Sequence, residues 1–148
     1  QIYFKSSGSK NPLAYKDANG VDEGPDISGM AALSANQRLT ILVYNHHDDW
    51  DLDSVCGIQL SVGNVPLANQ KFHLRHYRID HSHSNAYAEW VRQGQPMYPT
   101  HDQKQAIKER EGLELLEPAR IVTFEDGHID LQFNLPVHGI SLLVIEPA

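Results

Sequence analysis

The sequence predicts a mainly β protein: an antiparallel β-sandwich with an inserted helical hairpin. Three observations carry this. Cys56 to Val62 and Ile129 to Leu135 place apolar residues at every second position, the period of a strand with one buried face. Arg38 to His46 and Gly139 to Ile145 are apolar on both parities, as for strands covered on two sides. Helical spacing is confined to one segment between strand-like stretches, so strands do not alternate with helices as in a parallel α/β sheet.

The elements follow in order. Ile2 to Phe4 suits a short strand, and the remainder of the first 37 residues reads as irregular, with turn signals at Ser6 to Lys10, Asn19-Gly20 and Gly24-Pro25. Arg38 to His46 is rich in β-branched and aromatic residues and suits a central strand. Cys56, Ile58, Leu60 and Val62 form the buried parity of the next strand. Phe72 and Leu74 keep one parity while Tyr77 and Ile79 take the other, which predicts a bulge or register change near Arg75-His76. Ser84 to Gln93 carries Ala86, Tyr87, Trp90 and Val91 at helical spacing, and Gly94 can stop that helix. After Pro96 and Pro99, Thr100 with Gln103 forms a capping box that opens a second helix to about Glu111, ended by Gly112. The predicted hairpin insertion is therefore about 84–112, packed on the sandwich through Tyr87 and Trp90. Arg120 to Phe124 is a strand, Asp126-Gly127 a hairpin turn, and Ile129 to Leu135 and Gly139 to Ile145 the last two strands.

Composition bounds the function. The 148 residues make one domain, 41% hydrophobic and 21% charged. Twelve Lys and Arg against nineteen Asp and Glu give a net charge of −7, the wrong sign for a nucleic-acid surface. No apolar run approaches the ~20 residues that span a bilayer. Cys56 is the single cysteine, so no internal disulfide forms and the redox compartment stays open.

Candidate chemistry is sparse. The run Asn45 to Asp53 holds two His and four Asp, but a calcium loop from Asp49 would need Gly and Glu where Ser54 and Leu60 stand. It reads as a solvated turn, with no metal expected. The nine histidines lack the paired spacing of a zinc helix, and Cys56 lies on a buried parity. No nucleophile elbow, Walker loop or dinucleotide pattern occurs. Trp50, in the acidic loop, is the candidate for stacking on a sugar ring; Trp90 belongs to a helical stripe and is expected in packing.

Read in order, several motifs resemble the C-terminal region of glycoside hydrolase family 39, the family of β-xylosidases and α-L-iduronidase. They are His76-Tyr-Arg-Ile-Asp80, His83-Ser-Asn-Ala-Tyr87 with Trp90, the strand Leu42 to Asp49, Gly94-Gln-Pro96 before Pro99-Thr100, and Leu135-Pro136 before Gly139 to Leu143. The likeness covers roughly Arg38 to Glu146 and is most specific from Tyr77 to Thr100, the β-xylosidase branch being nearest. Gln95 stands where the family has Ser, and Met97-Tyr98 replace a more polar pair.

The resemblance implies that the catalytic residues, two Glu on a (β/α)8 barrel, lie outside this chain. Such a barrel needs about 250 residues, and the Asn-Glu pair that carries the family's acid/base is missing from the sequence. The expectation is a non-catalytic accessory domain over 1–148, without cofactor, which packs on and supports the barrel. Asp80, His83, Asn85 and Tyr87 are the candidates for that interdomain contact. A carbohydrate-binding module for xylan or xylo-oligosaccharides, using Trp50, is the alternative. Because Arg38 to His46 and Gly139 to Ile145 are apolar on both parities, association with a barrel or with copies of the chain is expected.

Overall fold

Alternating burial along most of the long strands gives two sheets whose inner apolar faces close on each other. The structure is a computed structural model that describes residues 2–6, 26–66 and 70–148. One sheet has three antiparallel strands: β1 (Ile2–Ser6), β4 (Val55–Val62) and β8 (Ile129–Pro136), in the order β1-β4-β8. The other has six, with β2 (Asp26–Leu33), β3 (Leu39–His46), β9 (Gly139–Pro147), β5 (Lys71–Ile79) and β6 (Glu114–Leu115) side by side. The sixth, β7 (Arg120–Thr123), pairs with β5 at the end opposite β6.

The core lies between them. Leu39, Ile41 and Val43 of β3, Phe72 and Leu74 of β5, and Leu143 and Ile145 of β9 meet Ile58, Leu60 and Val62 of β4 and Leu131 and Leu135 of β8. Each fully buried side chain of this size contributes roughly 1.5–3 kcal/mol through removal from water. Phe72 and Phe124 meet edge to face at 5.3 Å between ring centres. Cys56 is buried on the apolar parity of β4, as its position implied.

Two expectations about the strands are corrected. The region before residue 37 contains β2, eight residues paired with β3 from Asp26↔His46 to Leu33↔Leu39. Its sequence has Gly29 and two Ala, and it becomes a strand by completing the edge of β3. A Cβ at position 29 would stand 2.4 Å from the Leu42 carbonyl oxygen, so the close approach requires glycine there. β5 has no bulge: its register with β9 runs unbroken from Phe72↔Pro147 to Ile79↔Ile140. The buried parity simply continues as His76 and Arg78, so Tyr77 and Ile79 lie on the opposite face. The turn at Asp126-Gly127 forms, with both residues at positive φ and Glu125 bridged to His128. It joins strands of different sheets, however, and is not the end of a hairpin ladder.

The helical insertion comprises α1 (Ala86–Arg92) and α2 (His101–Glu109). Thr100 and Gln103 make the expected capping box, and Gly94 ends the first helix at φ 82°. The helices pack on each other, and neither has a fully buried residue. Trp90 is half-buried and its Nε1–H donates to the Pro96 carbonyl at 3.2 Å. Tyr87, expected against the sandwich, is 68% exposed. A two-turn helix offers one apolar stripe, and its packing partner here is α2.

Candidate functional site

The feature that departs most from an apolar sandwich is where β5 leaves the sheet. His76, Arg78 and Asp80 succeed one another on the buried parity that Phe72 and Leu74 begin. The Arg78 and Asp80 side chains are only 3% and 4% exposed, and Arg78 Nη1 lies 3.5 Å from Asp80 Oδ2. Arg78 also bridges the layers: its Nε donates to Ser141 Oγ of β9 at 3.2 Å and its Nη2 to the Asn134 carbonyl of β8 at 2.7 Å.

His76 completes this set, its Nε2 standing 2.9 Å from Ser141 Oγ. Burial, then the charges of Arg78 and Arg120, pushes its pKa down to about 4. Ser141 Oγ already accepts from Arg78, so its own hydrogen is free to donate to Nε2 of a neutral imidazole. The ring packs edge-on against Phe133 at 4.7 Å.

Asp80 is the hub of the turn that follows. Its Oδ1 accepts from Ser82 N at 2.8 Å, Ser82 Oγ at 3.0 Å and His83 N at 2.8 Å, and stands 3.0 Å from the His83 ring nitrogen Nδ1. Burial, the largest single influence, would raise its pKa. Hydrogen bonds from the Ser82 backbone, the His83 ring, the Ser82 hydroxyl and the His83 backbone together outweigh it, holding the carboxyl at about 2. Arg78 is pushed down by burial and held up by Asp80.

The same turn anchors the insertion. Asn85 Nδ2 donates to the Asp80 carbonyl at 3.1 Å, while its Oδ1 accepts from Ala88 N at 2.9 Å and so caps α1. Ser84 Oγ donates to the Arg78 carbonyl at 2.7 Å and accepts from Glu114 N at 2.8 Å, which ties β5 to β6. Arg110, just beyond α2, donates to the Ser82 carbonyl.

Of the four residues expected at a domain contact, the structure therefore brings Asp80, His83 and Asn85 together in one internal network. Tyr87 stands apart on the exposed side of α1, its ring 5.6 Å from that of Trp90. The sequence reading missed Arg78, Ser84 and Ser141, and it placed His76 at a bulge. The signal was present in His76-Tyr-Arg-Ile-Asp80, where polar residues occupy every second position at the end of an apolar parity. Asp80 is held ionised by its donors, and the His76 imidazole is neutral and buried.

Trp50 lies elsewhere, in the loop after β3, and is 78% exposed. One face of its indole stacks on His138 at 5.0 Å with 19° between planes. His138 Nε2 is 3.1 Å from the Asp49 carbonyl, so the imidazole is held in place beneath the indole. Among the described residues no three His, Cys, Asp or Glu side chains come together in a group that could hold a metal ion.

No protein-family model and no curated protein matches the sequence. Solved structures do match its fold. A bacterial orthologue of human α-L-iduronidase superposes with a TM-score of 0.68 at 16% identity, over 82% of this chain and 22% of that one. A glycoside hydrolase family 39 enzyme from Xanthomonas axonopodis pv. citri gives 0.70 at 14% identity, over 81% and 26%. A monomeric β-xylosidase from Caulobacter crescentus gives 0.61 at 18% identity, over 87% and 29%. The chain thus shares a β-sandwich fold with part of these glycoside hydrolases and spans about a quarter of their length.

Proposed function

We propose that this chain is a non-catalytic β-sandwich domain of a family 39 type glycoside hydrolase, β-xylosidase-like, that packs on a catalytic barrel and supports it. The observation that carries this reading is the fold shared with 22% to 29% of three such enzymes. The network of Arg78, Asp80, His83 and Asn85 agrees with it, because it ties the end of β5 to α1 and gives the insertion a fixed position. In this reading the chain is one accessory domain over 1–148 with the helical insertion at about 84–112. Of the residues expected at the contact, Tyr87 remains free to touch a partner, while Asp80, His83 and Asn85 position the helix that carries it.

A second reading rests on Trp50. An exposed indole held on one side by His138 offers its other side as a flat surface for the C–H face of a pyranose. Here the domain would hold xylan or xylo-oligosaccharides near the barrel. Two measurements on the purified chain separate these readings. Under the first, it hydrolyses no aryl β-xyloside and gives no heat with xylohexaose. Turnover retained through purification overturns the first reading, and saturable binding abolished by Trp50→Ala replaces it with the second.

A further inference from the structure

Where β8 begins, the outer side of the three-stranded sheet brings three polar atoms together. His128 and Asp130 are two positions apart at the start of the strand, so their side chains leave the same face. The register of β4 with β8 sets Ser61 opposite Asp130. Ser61 Oγ donates to Asp130 Oδ1 at 2.6 Å, and His128 Nε2 stands 3.1 Å from that same oxygen. The third side, Ser61 Oγ to His128 Nε2, is 3.4 Å. The backbone beneath is fixed: Glu125 and His128 exchange N–H to carbonyl bonds, and Ser61 and Asp130 belong to paired strands. The three do not make a hydrolytic triad. The hydroxyl donates to the carboxylate, and Asp130 meets the same ring nitrogen that would have to take the serine's proton.

The triangle has the size of one face of a metal ion's coordination shell. A point about 2.1 Å from all three corners lies about 1.1 Å off their plane, and Zn2+ takes His nitrogen at about 2.0–2.1 Å and carboxylate oxygen at about 2.0–2.2 Å. No donor atom has to move for one ion to bond all three. The His128 and Asp130 side chains are 48% and 68% exposed, which leaves the ion's other positions open to water. Neither 39–70, which holds β4, nor 121–148, which holds β8, contains a Lys or Arg to repel a cation; β1 brings one, Lys5, opposite Gln59. An imidazole with two oxygens suits first-row transition ions, whereas Ca2+ takes about six to eight oxygens. We infer that Ser61, His128 and Asp130 form a three-donor site for a divalent first-row metal ion such as Zn2+. Only two of the donors are His or carboxylate, so the site depends on the hydroxyl as its third. Protons balance without release. The neutral ring carries its hydrogen on Nδ1 and gives the Nε2 lone pair to the ion, ionised Asp130 supplies the charge, and the Ser61 hydroxyl turns its hydrogen from Asp130 to water.

Zinc chloride titrated into the chelator-treated chain at neutral pH tests it, read from the ring nitrogens of His128 in long-range 1H–15N NMR spectra. The Nε2 resonance should shift with added zinc while Nδ1 carries the hydrogen; calcium chloride should move neither. Losing a residue that merely supports a metal ligand weakens binding about 10–100-fold, so His128→Ala and Asp130→Asn should each cost at least about tenfold in zinc affinity. Ser61→Ala should weaken it too. All three positions lie on the outer face, and an unchanged backbone spectrum confirms that each variant is folded. His128 resonances that stay still at millimolar zinc overturn the inference and leave a hydrogen-bonded trio only. Equal affinity in wild type and His128→Ala overturns it as well, placing the ion on other histidines. A Ser61→Ala variant with full affinity refutes the three-donor geometry, and an equal response to calcium refutes the assignment to a transition metal.

Discussion

Replacing Asp80 with Asn keeps the shape of the hub and removes its charge. The Asn oxygen can still accept from the Ser82 and His83 backbone, but an amide now faces Arg78 Nη1, donor against donor. Arg78 stays buried and charged. Removing one partner from a buried ion pair typically costs about 3–5 kcal/mol. Arg78 keeps Ser141 Oγ and the Asn134 carbonyl, so the expected cost is near the lower end, about 3 kcal/mol. With a urea slope of about 2 kcal/mol/M, the midpoint should fall by about 1.5 M. Adding Arg78→Met removes the stranded charge, and the double variant should be more stable than Asp80→Asn alone. The acid dependence has a definite sign. A folded pKa of about 2 against about 3.9 unfolded gives stability that is complete above pH 4 and lost as pH falls through 2. The gap between wild type and Asp80→Asn should close over that window. A midpoint shift below about 0.3 M, or a double variant that loses the sum of the two single losses, would refute the coupling.

Further outcomes follow from the same geometry. His76 is held at about 4 against about 6.5 unfolded, so stability should decline by about 3 kcal/mol as pH falls from 6.5 to 4, and His76→Gln should flatten urea midpoints across that range. Gly127→Ala puts a Cβ 2.5 Å from the Val65 carbonyl oxygen at φ 74°, and should lower the melting temperature by about 3 °C or more. Gly94→Ala, at φ 82° with nothing within 4 Å, should cost less, and equal losses would contradict the steric account. Thr100→Ala removes the capping box of α2 and should speed amide exchange in that helix by the equivalent of about 1 kcal/mol.

What the sequence disclosed depended on whether local chemistry or long-range pairing made the element. Thr100 with Gln103, and Asp126 with Gly127, act within a few residues, so their turn and cap were legible. So was the alternation of Leu131, Phe133 and Leu135, because one face of β8 meets the core. β2 was not legible: Asp26 to Leu33 has weak strand propensity and gains its structure from the edge of β3. β5 misled for a different reason. Reading buried positions as apolar ones treats His76 and Arg78 as interruptions, when their partners Ser141 and Asn134 lie more than fifty residues away in sequence. The candidate site suffered likewise: Asp80, His83 and Asn85 were identified as a cluster, but their inward direction depends on Arg78.

That inward arginine bears on how the chain finds its pairing during folding. Apolar alternation punishes a slip of one residue, which would turn the whole inner face of β5 to solvent. It is nearly blind to a slip of two, which keeps every side chain on its own face. Polar side chains are not interchangeable in this way. In the native register Arg78 sits opposite Ser141 and His76 opposite Leu143. Moving β5 two residues along β9 would set Arg78 against Leu143 or Gly139, stranding a guanidinium among hydrocarbon. The His76–Arg78–Ser141 set thereby acts as an indexing pin for the central strands, rejecting the even-numbered misalignments that oil alone would accept.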